Sequence, residues 1–163
     1  MILDHRALQQ ADVEAVCSFP QSADELFFML PGADYPLTPE QLLETAPGSH
    51  FPTVGLLDNR LAGYAAFVEV REKHYCAIGS LVVHPHFRRK EVATHLVNTL
   101  VRTAVDQYAV RFVRLSCFSH NQAAYALCHK LGFRPADMDQ HPAPDGEPVL
   151  LVHLHLSVRH WKG

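Results

Sequence analysis

The sequence predicts an α/β fold, a mixed sheet of six to seven strands flanked by about four helices. Three observations carry that reading. Val92, Ala93, Leu96, Val97, Leu100, Val101, Ala104 and Val105 recur at three- and four-residue spacing, which gives one helix a single apolar stripe. Strand-like runs lie on both sides of that helix, at Leu61 to Val70, Tyr75 to Val83 and Arg111 to Phe118. In the last of these Val113, Leu115 and Cys117 alternate with other residues. The 163 residues, 48% apolar and 19% charged, suit one domain over 1–163 with a core of its own.

The elements follow in order. Ile2 to Arg6 reads as a short strand, and a helix begins near Ala11 with Val13, Val16 and Cys17 on its apolar side. Ser22 is placed to cap a second helix over Ala23 to Met29. Pro31 to Pro36 is irregular, because its prolines and glycine oppose regular structure. Thr38-Pro39-Glu40 starts another short helix with a cap and a first-turn proline. Thr53 to Leu57 and Leu61 to Val70 form a hairpin across Asp58-Asn59-Arg60. After the long helix and the 111–118 strand, Asn121 to Leu131 is helical and Gly132 stops it. Val149 to Val158 is the last clear strand, with Val152, Leu154 and Leu156 on one face.

A formal net charge of −3 gives no footprint for nucleic acid or an anionic membrane, and no apolar run is long enough to span one. Cys17, Cys76, Cys117 and Cys128 follow no framework spacing and read as reduced thiols, hence a cytoplasmic setting. Of the twelve histidines, His84-x-His86 and His153-x-His155 each place two imidazoles on one side of an extended segment. Neither pair has a cysteine or carboxylate at ligand spacing, so no metal is expected.

The most informative segment runs from Leu81 to Ala93. A strand enters a basic loop, Arg88-Arg89-Lys90, that opens directly onto the long helix. Free N–H groups and the dipole at a helix start attract an anion, and the loop adds positive charge. A solvated basic turn is the plain alternative.

This segment resembles the GNAT superfamily of N-acetyltransferases. Members end a strand in an L-x-V-H-P-like run and open the next helix with R/Q-x-x-G-x-G/A. Here Leu81-Val82-Val83-His84-Pro85 matches the first, while Arg88 and Ala93 match the ends of the second. A second family element, an Asn opening the following helix and a Gly-Phe closing it, matches Asn121 and Gly132-Phe133. The resemblance covers residues 52–135 well and the first fifty by element order. It implies a GNAT-like sheet and acetyl-CoA as co-substrate. The pyrophosphate would lie on Arg88, Arg89, Lys90, Glu91, Val92, Ala93 and Thr94, and the cofactor arm along Leu81, Val82, Val83 and Asn121.

The chain departs from the family pattern in three respects. Glu91 replaces the middle glycine of the loop, and Arg89 stands where glycine is common. A carboxylate about 5 Å from a phosphate charge costs roughly 3 kcal/mol at an effective dielectric near 20. Turned outward toward Arg88 or Lys90 it costs little, and an acid in a first helical turn favours the dipole. Many members protonate the departing thiolate with a Tyr four residues before the Gly-Phe glycine, a position occupied here by Cys128. Cys128 and, one turn earlier, Tyr125 are therefore the catalytic candidates, although a core thiol and a core or rim aromatic are the simpler readings. Some relatives carry a basic carboxylate thirteen residues before the loop arginine. That position is Tyr75, and Glu69, Glu72 and His74 are the nearby alternatives.

The resemblance implies direct transfer to a small-molecule or protein amine, with a strand N–H stabilising the oxyanion. The acceptor would enter beside the irregular loop near Phe27, Phe28 and Tyr35, with Glu25 or Glu69 attracting its cation. A non-catalytic acyl-CoA-binding module is the rival reading. Exposed strand edges leave a homodimer open.

Overall fold

The computed structural model describes residues 1–44 and 49–161. Its strands are β1 (Leu3–Ala7), β2 (His50–Leu57), β3 (Arg60–Arg71), β4 (Tyr75–Val83), β5 (Phe112–Phe118), β6 (Arg134–Pro142) and β7 (Pro148–Ser157). They form one seven-stranded sheet in the order β1-β2-β3-β4-β5-β7-β6. The helices are α1 (Val13–Cys17), α2 (Ala23–Met29), α3 (Pro39–Glu44), α4 (Val92–Tyr108) and α5 (Gln122–Lys130). None of them is long and apolar enough to cross a membrane.

The apolar stripe of α4 behaves as its spacing predicts. Leu96, Val97, Leu100, Val101 and Ala104 are wholly buried and form one core with Phe67 of β3, Val113 and Leu115 of β5 and Leu154 of β7. The opposite face of β2–β4 is covered by α1–α3. There Val16, Phe19, Leu26 and Leu42 pack on Val54, Tyr64, Ala66 and Val82. Arg6 of β1 anchors this second layer through a two-toothed contact to Asp12, at 2.6 and 3.0 Å. Asp12 also accepts the Gln9 N–H at 2.8 Å.

Antiparallel pairing holds throughout except between β4 and β5, which α4 connects as a crossover. That parallel pairing runs only from Tyr75↔Phe112 to Ile78↔Leu115. Beyond it, β4 keeps β3 as a neighbour but has lost β5. The β3–β4 register slips on both sides of this point, at Val68 and at Ser80-Leu81, so each strand carries one extra residue. Ser80 takes φ +55°, and the Val68 side chain lies over Gly79, where any Cβ would meet it at 2.6 Å. Close approach also matters at Gly63, paired with Val83 at the end of β4. An added Cβ there would stand 3.0 Å from both Val92 and Leu96, so this glycine lets the first turns of α4 settle onto the sheet.

The element order matches the expectation closely, with one difference. β6 was not anticipated as a strand. Its residues, Arg134-Pro135-Ala136-Asp137-Met138-Asp139-Gln140-His141-Pro142, are almost all exposed and show no apolar alternation, as suits an edge strand tolerant of proline. Among the described residues the five expected helices form, with α1 and α3 only five and six residues long.

The Arg6 guanidinium, followed by the Gln9 N–H, holds the Asp12 carboxyl below its usual range despite burial. A depressed folded pKa contributes stability above the unfolded value and loses it as pH falls through the folded one. Asp12→Ala is therefore expected to cost about 2 kcal/mol at pH 7, the scale of hydrogen bonds to a charged group. Urea unfolding at several pH values checks this, with the gap between variant and parent closing as pH drops below about 4.

Candidate active site

The parting of β4 and β5 opens a cleft of about 600 Å³. Its floor is the free edge of β4 at Leu81, Val82 and Val83. One wall is the start of α4, with Val92, Ala93 and Thr94, and the other is α5, with Asn121 at its cap and Leu127 and Lys130 along it. The Val82 side chain is buried under the α1–α3 layer, so the β4 backbone is the polar feature this strand offers the cleft.

The first hydrogen bond of α4 runs from the His95 N–H to the Glu91 carbonyl, at 2.9 Å. The N–H groups of Val92, Ala93 and Thr94 precede that bond and lie in the cleft-lining turn, where the helix dipole is positive. Residues before the helix are held in an unusual backbone. Arg89 and Glu91 have φ of +63° and +66°, the left-handed region that glycine enters without cost. The resemblance sets glycine at both positions, and here Arg89 and Glu91 themselves adopt the backbone that glycine favours.

Side-chain charges are already partly matched. Arg88 reaches Glu25 with two contacts of 2.7 and 3.0 Å, and its Nε donates to the Val83 carbonyl at 3.2 Å. This arginine thus ties the loop to α2 and to the end of β4. Glu25 is a hub in turn. Its N–H donates to the Ser22 hydroxyl as in a helix cap, and its carboxylate accepts the Gln21 N–H. Arg88 first, and the Gln21 N–H with it, keeps the Glu25 carboxyl below its usual pKa. Glu25 lines the cleft with its carboxylate paired to Arg88. The Glu91 carboxylate turns to Lys130, 3.6 Å away. Arg89 remains to face the cleft, whereas Lys90 lines a separate depression with Asp58, Arg60 and His86.

The catalytic candidates fare differently. Cys128 does not line the cleft. It is 5% exposed within the main core, and the neighbouring Cys117 thiol together with burial pushes the thiol's pKa up. Of the two sequence readings of Cys128, its place among the core residues follows the packing one. Tyr125 packs against the same core and lines a small hollow with Ser119, Gln122 and Val152, outside the cleft. Asn121 accepts the Ala124 N–H through Oδ1 at 3.3 Å, so it caps α5, and the residue also lines the cleft.

The acceptor candidates are not gathered by the fold. Tyr35 is half-exposed in its irregular loop and absent from the cleft lining. Glu69 pairs with Ala77, four residues before Leu81, or roughly 13 Å along the strand. Its carboxylate accepts the Tyr75 hydroxyl and the Arg71 guanidinium, and these contacts lower its pKa. Aromatic groups do meet nearby. Phe27 stacks on Phe118 at 4.4 Å, with His141 5.5 Å from Phe118 and His120 5.1 Å from Phe28. His120 and His141 escaped the sequence reading because one sits in a loop and the other on the unforeseen β6.

The sequence model described as "Acetyltransferase (GNAT) family" matches residues 17–133, most of the chain. The protein belongs to the GNAT acetyltransferase family. No curated protein matches it in sequence. Solved structures show where the GNAT chain's fold recurs. A GNAT-family acetyltransferase from Bacillus anthracis is 19% identical, with TM-score 0.75, covering 95% of this chain and 94% of that one. The ribosomal-protein-S18-alanine N-acetyltransferase from Escherichia coli is 18% identical, with TM-score 0.73 and 96% and 94% coverage. The yncA protein of Salmonella typhimurium, solved with its cofactor acetyl-CoA, is 18% identical, with TM-score 0.73 and 99% and 96% coverage. At these identities the likeness is one of fold.

The left-handed backbone at Glu91 sets up a direct test of how this GNAT loop copes without glycine. A non-glycine residue there costs about 1–2 kcal/mol, and the added freedom of an unfolded glycine returns about 0.4–1 kcal/mol of that. The exposed Lys130 pair adds little. Glu91→Gly is thus expected to stabilise the protein by about 0.5–1 kcal/mol in chemical denaturation, whereas Glu91→Gln leaves stability within about 0.5 kcal/mol of the parent.

Proposed function

We propose that this GNAT-family chain is an N-acetyltransferase, moving an acetyl group from acetyl-CoA to a primary amine by direct transfer in a ternary complex, within one domain spanning 1–163. The observation that carries the reading is the loss of β4–β5 pairing after Ile78 and Leu115, directly beside the open start of α4. A phosphate-bearing, amide-rich arm needs both features, N–H groups for its anion and an unpaired strand edge for its amides. Residues present here fit such a ligand. The N–H groups of Val92, Ala93 and Thr94, with Arg89, would hold the pyrophosphate. The Leu81–Val83 backbone and the Asn121 amide would hold the arm.

Acetyl-CoA supplies a thioester-activated acetyl group. The chain's part is to orient that group, polarise it through a β4 N–H and bring the amine into line. A dedicated thiol or phenol acid is not required for the leaving group, since an ordinary thiol ionises near pH 8.5 and departs readily as thiolate. The amine proton would leave through water on the open side of the sheet. The acceptor would be a small-molecule or protein amine and the setting the cytoplasm, in keeping with the buried free thiols.

A second reading, a non-catalytic acyl-CoA-binding module, draws on the burial of Cys128 and the lack of a carboxylate at Tyr75. Acetyl transfer to any member of an amine panel removes it.

Thermal unfolding with and without acetyl-CoA tests the binding step common to both. Ligand at about a hundred times its dissociation constant adds roughly 2.7 kcal/mol, expected as a Tm rise of about 5–11 °C for a domain of this size. A Tm unmoved at millimolar acetyl-CoA would overturn both readings together.

A further inference from the structure

The sheet face turned away from α5 carries a second constellation. Ser116, His153 and Asp139 stand on three consecutive strands, β5, β7 and β6. Ser116 and His153 are direct cross-strand partners, and Asp139 lies two residues beyond Asp137, the β6 partner of His153. The Ser116 hydroxyl is 2.6 Å from His153 Nδ1, and His153 Nε2 is 2.8 Å from an Asp139 carboxylate oxygen.

Donor and acceptor roles follow from this chain of contacts. An ionised carboxylate only accepts, so the Nε2 position must carry the hydrogen that reaches Asp139. In the neutral ring Nδ1 is then a lone pair, and the Ser116 hydroxyl donates to it. The hydroxyl proton is drawn inward, and the remaining lone pairs of Oγ face outward on an exposed residue. The imidazole is sheltered, with 12% of its side chain accessible, while Asp139 is open to solvent. Carboxylate orients imidazole and imidazole polarises hydroxyl, the arrangement that makes a serine nucleophilic.

We propose that Ser116, His153 and Asp139 form a nucleophilic acyl-accepting site for activated carboxylic esters and thioesters, separate from the acetyl-CoA cleft. Ser116 does not line that cleft, so the site does not rest on the acetyltransferase reading. In the first step Ser116 Oγ bonds to the carbonyl carbon while its proton passes to His153 Nδ1. The carbon–oxygen or carbon–sulfur bond of the ester then breaks, and the leaving group takes that proton. Water adds in the same manner, releasing the carboxylic acid and restoring the Ser116 hydroxyl.

Two probes test this on the full chain: a small fluorophosphonate, followed by peptide mass mapping, and p-nitrophenyl acetate hydrolysis. The expected result is one phosphonate adduct, on Ser116, together with ester hydrolysis. Both should be lost in Ser116→Ala, lowered about 10²-fold or more in His153→Phe, and reduced in Asp139→Asn. Each variant's fold is checked by its melting curve, and urea-unfolded parent serves as a control for labelling that needs no structure. A parent that melts normally but takes no adduct overturns the proposal. So does labelling that persists unchanged in His153→Phe or in the unfolded control. The acetyl-CoA melting shift, measured on the same variants, stays unchanged in either case, so this site and the cleft succeed or fail separately.

Discussion

Two parallel strands that stop pairing after four residues set up nearly everything else in this molecule. Between Ile78 and Leu115 the sheet is continuous, and beyond them β4 presents an unsatisfied edge. In a core such an edge would be costly, since buried N–H and C=O groups need partners. The fold keeps it at the surface of a cleft, where water or a ligand can reach it. The extra residue at Ser80-Leu81 lies just where pairing to β5 ends and re-aims the end of β4. Gly63 then allows α4 to start close against that end, which brings free helical N–H groups to the same opening. Strand edge and helix start are one construction.

The charges around that opening are arranged so that the helix start is not overwhelmed by its own loop. Three basic residues and one acid lie within four positions, yet only part of that charge faces inward. Arg88 is committed to Glu25 and the Val83 carbonyl, Glu91 turns to Lys130, and Lys90 points to another depression. What remains for an anion is Arg89 and the dipole. Both ion pairs are partly or largely exposed and individually weak. Their value is geometric: Arg88 links α2 to the loop, so the N-terminal helices and the start of α4 hold one another in register.

The sequence made the long elements legible because burial writes a period into them. The α4 stripe, the alternation in β5 and the Ser22 and Asn121 caps were all readable, as was the resemblance that located the cleft. β6 was not readable, since an exposed edge strand has no buried face to impose alternation. Single roles inside the site were harder still. Glu25 looked like a free carboxylate because its partner lies 63 positions away. Cys128 sat at the family's acid position, yet three-dimensional packing sends it to Cys117. Side-chain partners across strands and between layers are fixed by tertiary register, which neither spacing nor propensity encodes.

β5 shows how much one residue of register decides. Its odd members, Val113, Leu115 and Cys117, point into the core shared with α4 and α5. Its even members, Phe112, Arg114 and Ser116, point to the other face, where they meet Tyr75 and the two histidines of β7. His153 and His155 sit two apart on β7 and so share that face, but each is drawn to a different group, one to Ser116 and Asp139 and the other to Arg114. A two-residue histidine pattern that in sequence suggests a pair of ligands becomes, once the strands are paired, two imidazoles with separate duties. The neighbours across the ladder, more than the spacing along it, determine what each side chain can do.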